Sequence, residues 1–105
     1  MAAVLTVTSR RADDGTVAVA AVGELDMSTI GRFESALRTA IDEAGPGRTT
    51  TLDLSAVEYL DSAAINVLFE NAERIGSVLV HPLLLRGLTI SGLDQVVEVR
   101  SAALD

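Results

Sequence analysis

Cysteine is absent from this chain, and so is lysine. Without cysteine there is no disulfide framework, no thiolate nucleophile and no zinc–thiolate site. All 8 basic residues are arginine, which reads as a genome-composition bias and not as a site. They are outnumbered by 15 acidic residues, giving a formal net charge of −7. Nucleic-acid backbones and anionic membranes repel such a surface, so neither is expected as a partner. Histidine occurs once, as His81 beside Pro82. One imidazole cannot hold a metal, and a lone histidine at a strand end is expected to be structural or solvated. Long hydrophobic runs are missing too. The longest, VAVAAV at 17–22, falls far short of a membrane span of about 20 residues. MAAVLTVTSRR places no basic segment ahead of its apolar stretch and does not resemble a signal peptide. The expectation is a soluble, cytoplasmic protein without repeats, linkers or low-complexity tracts.

What is present suffices for a core. With 105 residues, 49% of them apolar, the chain is long enough for one domain and too short for two, and disorder is not expected. VLTVTS (4–9) alternates with period two and reads as a strand; Asp13-Asp14-Gly15 is a turn signal, and TVAVAAV (16–22) is the returning strand. Gly23 breaks that run and leads into Glu24-Leu25-Asp26. From Ser28 the period changes: Ile30, Phe33, Leu37 and Ile41 share one helical face, capped by Asp26 or Ser28 and ended by Gly45-Pro46-Gly47. TTTLDLS (49–55) is a third strand. A second helix carries Ile65, Leu68, Phe69 and Ala72 and is expected to run to about Ile75, where Gly76 stops it. SVLVH (77–81), a short helix after Pro82 and QVVEV (95–99) complete the order β-β-α-β-α-β-α-β. That order predicts a single α/β domain, with a mixed four- to five-stranded sheet and helices packed along it.

Conventional catalysis finds little support. Ser62 lacks the G-x-S-x-G turn, and no histidine is placed in sequence as its base. Gly45-Pro46-Gly47 is not followed by Gly-Lys-Ser/Thr, so it is no phosphate cradle. Glu24 and Asp26 could form an acid–base pair, although a helix cap with an acidic first turn accounts for them. The chain is therefore not expected to be an enzyme, and it gives no sign of a cofactor or metal. The segment VEYLDSAAINVLF (57–69) carries more information. It places Asp61 and Ser62 where a strand ends and a helix begins, beside backbone N–H groups that no helical carbonyl satisfies. A phosphoryl group there would meet those N–H groups and the positive end of the helix dipole. Ser62 can thus be a cap, a switch or both.

GELDMSTIGRFESAL (23–37) and LDLSAVEYLDSAAINVLF (52–69) together resemble the STAS domain of bacterial anti-sigma factor antagonists. Gly23, Glu24, Leu25, Asp26 and Thr29 match the family's first motif; Asp53, Leu54, Ser55, Asp61 and Ser62 match its second. LTISGL (88–93) looks like the family's third helix and its stop. The resemblance implies that residues 1–105 form one STAS domain, a small α/β fold whose activity is binding. It implies an antagonist that captures an anti-sigma factor, a serine kinase of the partner-switching type. That kinase phosphorylates Ser62, and a phosphatase reverses the modification. Asp26, Thr29, Asp61 and Ser62 are the expected partner-binding positions. Some STAS domains instead serve, without phosphorylation, as adaptor subunits of regulatory or transport complexes. The chain departs from the family pattern at Ala63-Ala64, where Ser or Thr followed by Gly is usual. Alanine favours helix over glycine by about 1 kcal/mol, so the acceptor turn should be stiffer.

Overall fold

The computed structural model describes residues 5–102. A five-stranded sheet runs in the order β1 (Leu5–Arg11), β2 (Val17–Leu25), β3 (Thr50–Leu60), β4 (Ile75–Val80), β5 (Glu98–Ser101). The first pair is antiparallel and the other three are parallel. The hairpin is closed at the predicted turn. Asp14 Oδ1 accepts the Thr16 N–H and hydroxyl, and Gly15 takes a φ of 90° that few other residues tolerate. Val4, read as the start of the first strand, lies outside the described residues.

Three helices fill the crossovers: α1 (Ile30–Ala44), α2 (Ser62–Glu70) and α3 (Pro82–Ser91). The strands follow one another across the sheet without reversal. Right-handed crossovers therefore set every helix on the same face. One core results, in which Val17, Val19, Ala21, Leu52, Leu54, Val78 and Val80 meet Phe33, Leu37, Leu68 and Leu88. The opposite face is open; Thr51, Asp53 and Ala56 are exposed on it.

Several boundaries differ from the sequence reading. Helix α2 ends at Glu70, not near Ile75, because the Asn71 side-chain amide donates to the Val67 carbonyl at 2.8 Å and a 3-10 turn follows at Ala72–Arg74. Gly76 is accordingly no helix stop. It lies inside β4, where a Cβ would come within 2.7 Å of Thr49 Oγ1. Strand β3 extends beyond 55 to Leu60, and β2 continues through Gly23 (φ 122°) to Leu25. β5 is Glu98–Ser101 instead of 95–99, since Leu93–Gln95 forms a second 3-10 turn. Helix α1 begins at Ile30 and has no acidic residue in its first turn, contrary to the expected acidic start.

Candidate functional site

β2 and β3 are parallel and finish together, with Leu25 opposite Leu60. The β2–α1 loop and the start of α2 therefore emerge side by side. The Asp61 N–H donates to the Leu25 carbonyl at 3.1 Å, joining the two segments through the backbone. The Asp61 side chain joins them again. Its Oδ1 accepts the Ala64 N–H at 3.1 Å, the N-cap bond of α2, and its Oδ2 accepts the Met27 N–H at 3.1 Å. One carboxylate thus fixes the helix start and the neighbouring loop.

Because Asp61 is the cap, Ser62 is not. Ser62 is the first residue of α2, is exposed, and its hydroxyl makes no hydrogen bond among the described residues. The N–H groups of Ser62 and Ala63 belong to the first turn and likewise find no acceptor there. An exposed hydroxyl, two free donors and the positive end of a helix coincide at one point. Chemically, that arrangement can receive an anionic group.

The β2–α1 loop is held from within. Asp26 Oδ1 accepts the Ser28 N–H (2.8 Å), the Ser28 hydroxyl (2.6 Å) and the Thr29 N–H (3.2 Å). The Ser28 hydroxyl bond, with the backbone N–H bonds behind it, holds the Asp26 carboxyl below the usual carboxylate range despite some desolvation. Thr29 is 3% exposed; its hydroxyl donates to the Glu24 carbonyl at 2.9 Å and accepts the Asp26 N–H at 3.0 Å. Thr29, one of the expected partner-binding positions, is thus buried and shapes the loop from within. The structure brings Asp26, Asp61 and Ser62 to one end of the sheet.

Two residues at that end escaped the sequence reading. Met27 is 80% exposed and Tyr59 is 50% exposed. The signal for Met27 was present, an apolar side chain in a loop of otherwise polar residues. Tyr59 carries no such signal, because the alternation that marks β3 fails beyond Ser55. His81, expected to be structural or solvated, stands at the start of α3. Its Nδ1 accepts the Leu83 N–H at 3.1 Å and caps α3. Among the described residues no three His, Cys, Asp or Glu side chains are grouped to hold a metal, and no helix is long and apolar enough to cross a membrane.

Comparison with known proteins agrees with this fold. The family profile described as "Mlab, STAS domain" matches residues 8–98. The anti-sigma-F factor antagonist RsfB of Mycobacterium tuberculosis is 30% identical over 112 residues, covering 100% of this chain and 90% of that protein. An anti-sigma factor antagonist from Mycobacterium paratuberculosis, known as a crystal structure, superposes with a TM-score of 0.81 at 28% identity, over 92% of this chain and 86% of its own. The antagonist SpoIIAA in its unphosphorylated form shares the fold, with a TM-score of 0.70 at 19% identity over 93% and 89% of the two chains. The chain belongs to the STAS-domain family.

Proposed function

We propose that this protein is an anti-sigma factor antagonist. It binds an anti-sigma factor kinase while Ser62 carries its free hydroxyl, and it is released when that kinase phosphorylates Ser62. A phosphatase restores the binding form. The observation that carries this reading is the unused Ser62 hydroxyl, exposed at the start of α2 because Asp61 already caps the helix. The relatives named above support the class, and SpoIIAA has been solved in a phosphorylated form. The partner surface comprises Asp26, Met27, Tyr59, Asp61 and Ser62, with Met27 and Tyr59 as apolar anchors in an acidic setting.

Phosphorylation with ATP and the serine-kinase anti-sigma factor of the same genome tests this directly. One phosphoryl group is expected, at Ser62, moving the net charge from −7 to roughly −8.5 to −9. Mass mapping distinguishes the competitors, each of which is engaged or closed off. The Ser28 hydroxyl is bonded to Asp26, the Ser55 hydroxyl to Asp53, and Thr29 is buried. Phosphate at any of these would contradict the assignment. One observation favours the second reading, a STAS adaptor that is not phosphorylated: Ala64, 0% exposed, stands where a glycine would loosen the acceptor turn. Complete resistance of Ser62 to the kinase that the protein binds would select it.

A further inference from the structure

β3 outruns β4. Their ladder ends with Leu54 opposite Val80, while β3 continues to Leu60 with β2 alone beside it. Ser55–Leu60 therefore has one strand edge without a partner strand, in the interior of the sheet order. The separation is built in locally. Asp53 Oδ1 accepts the Ser55 N–H at 3.0 Å and the Ser55 hydroxyl at 2.6 Å, which ends the ladder on one side. On the other, Pro82 carries no N–H and turns the chain from β4 into α3.

Between this open edge and the first turn of α3 lies a cavity of about 430 Å³, its walls including Val22, Ala56, Glu58, His81, Leu83 and Leu84. That volume falls at the lower end of the ligand-pocket range of about 300–1,000 Å³. Its rim leaves apolar side chains in water: Leu83 is 84% exposed and Val22 is 54% exposed. Among the described residues, Glu58 is the one acidic side chain in the lining, and no arginine lies there. Because His81 Nδ1 accepts the Leu83 N–H, the neutral ring carries its proton on Nε2.

We infer that this groove receives an extended apolar peptide segment bearing a basic residue, added as a strand to the open edge of β3. A strand edge that no neighbouring strand covers is matched by another main chain. Alternate side chains of such a strand point to opposite sides, so one set can enter the apolar cavity. The basic residue complements Glu58 on a chain whose net charge is −7. The site is separate from Ser62, and its test does not depend on phosphorylation.

The test is an NMR titration of the intact chain with three capped pentapeptides. One alternates valine with lysine, one alternates valine with glutamate, and one is the lysine peptide with N-methylated amides. The lysine peptide at about 1 mM should shift and protect amides of Ala56–Glu58 and shift those of Leu83 and Leu84. It should bind about tenfold more tightly than the glutamate peptide. Glu58→Gln should remove that preference, and Leu83→Ser, at an exposed position, should weaken binding by about tenfold. The N-methylated peptide should not bind. Shifts located elsewhere, equal binding of the N-methylated peptide, or no binding by any peptide would each overturn the inference.

Discussion

Asp61 and Ser62 divide between them a task that residue type assigns to either. Both are good N-cap residues. Asp61 takes the cap and, with its second oxygen, the Met27 N–H, which leaves the serine hydroxyl in solvent. Asp61→Ala should therefore lower stability by about 0.5–2 kcal/mol in urea unfolding, whereas Ser62→Ala should stay within about 0.5 kcal/mol of the parent chain. The reverse ranking would show that Ser62 is the cap. Asp26 offers a test by pH. Its carboxyl is held below the usual range, principally by the Ser28 hydroxyl, so the folded form favours the charged state more than the unfolded form does. A depressed carboxyl contributes stability that is present above the unfolded value, 3.8, and is lost as pH falls through the folded value beneath it. Asp26→Asn should accordingly lose stability near neutral pH and show a shallower fall between about pH 5 and pH 3. An unchanged acid slope would mean that Asp26 does not contribute through its charge.

Among the elements, periodicity revealed the helices better than the strands. α1 was legible because Phe33, Leu37 and Ile41 keep helical spacing and are all buried. β3 was legible only to Ser55. Beyond it two register irregularities against β2 each place an extra residue on β3, so the buried positions go from Leu52 and Leu54 to Val57, and alternation fails. The Asp61–Ser62 boundary was legible even so, since a helical pattern starts there. Which of Asp61 and Ser62 takes the cap was not, because both are good N-cap residues; nor was the reach of Asp61 to the Met27 N–H, a contact between residues 34 apart in sequence. That contact makes a prediction of its own. A charge added at Ser62 competes with Asp61 for the first turn of α2, so Ser62→Asp should speed amide exchange at Met27 and Ala64 without affecting the middle of α1. Equal protection of Met27 in both proteins would show that the two segments are uncoupled. The alanine pair matters at the same scale. Ala64→Gly should cost about 1 kcal/mol or more of stability, since Ala64 is fully buried, and should raise the rate of Ser62 phosphorylation. An unchanged rate would show that stiffness of the turn does not limit the kinase.

For the whole molecule, magnitudes decide how the proposed switch works. A helix start favours added negative charge by about 0.3–1 kcal/mol, and by about 2 kcal/mol in the best geometry. Asp61 beside the new phosphate offsets part of that gain. The net effect on folding is small against a domain stability of about 5–15 kcal/mol. An interface responds differently. A dianion buried where the partner had accepted a neutral hydroxyl loses hydration and meets an acidic surround, at a cost of several kcal/mol. Since about 1.4 kcal/mol is tenfold in affinity, binding should fall by orders of magnitude on an unaltered fold. The decisive measurement is therefore paired: the affinity of the anti-sigma factor kinase for the Ser62→Asp chain, and the melting temperature of that chain. The proposed switch predicts a melting temperature within a few degrees of the parent and loss of the partner, with Ser62→Ala retaining both. A Ser62→Asp chain that bound the kinase as tightly as the unmodified protein would contradict it.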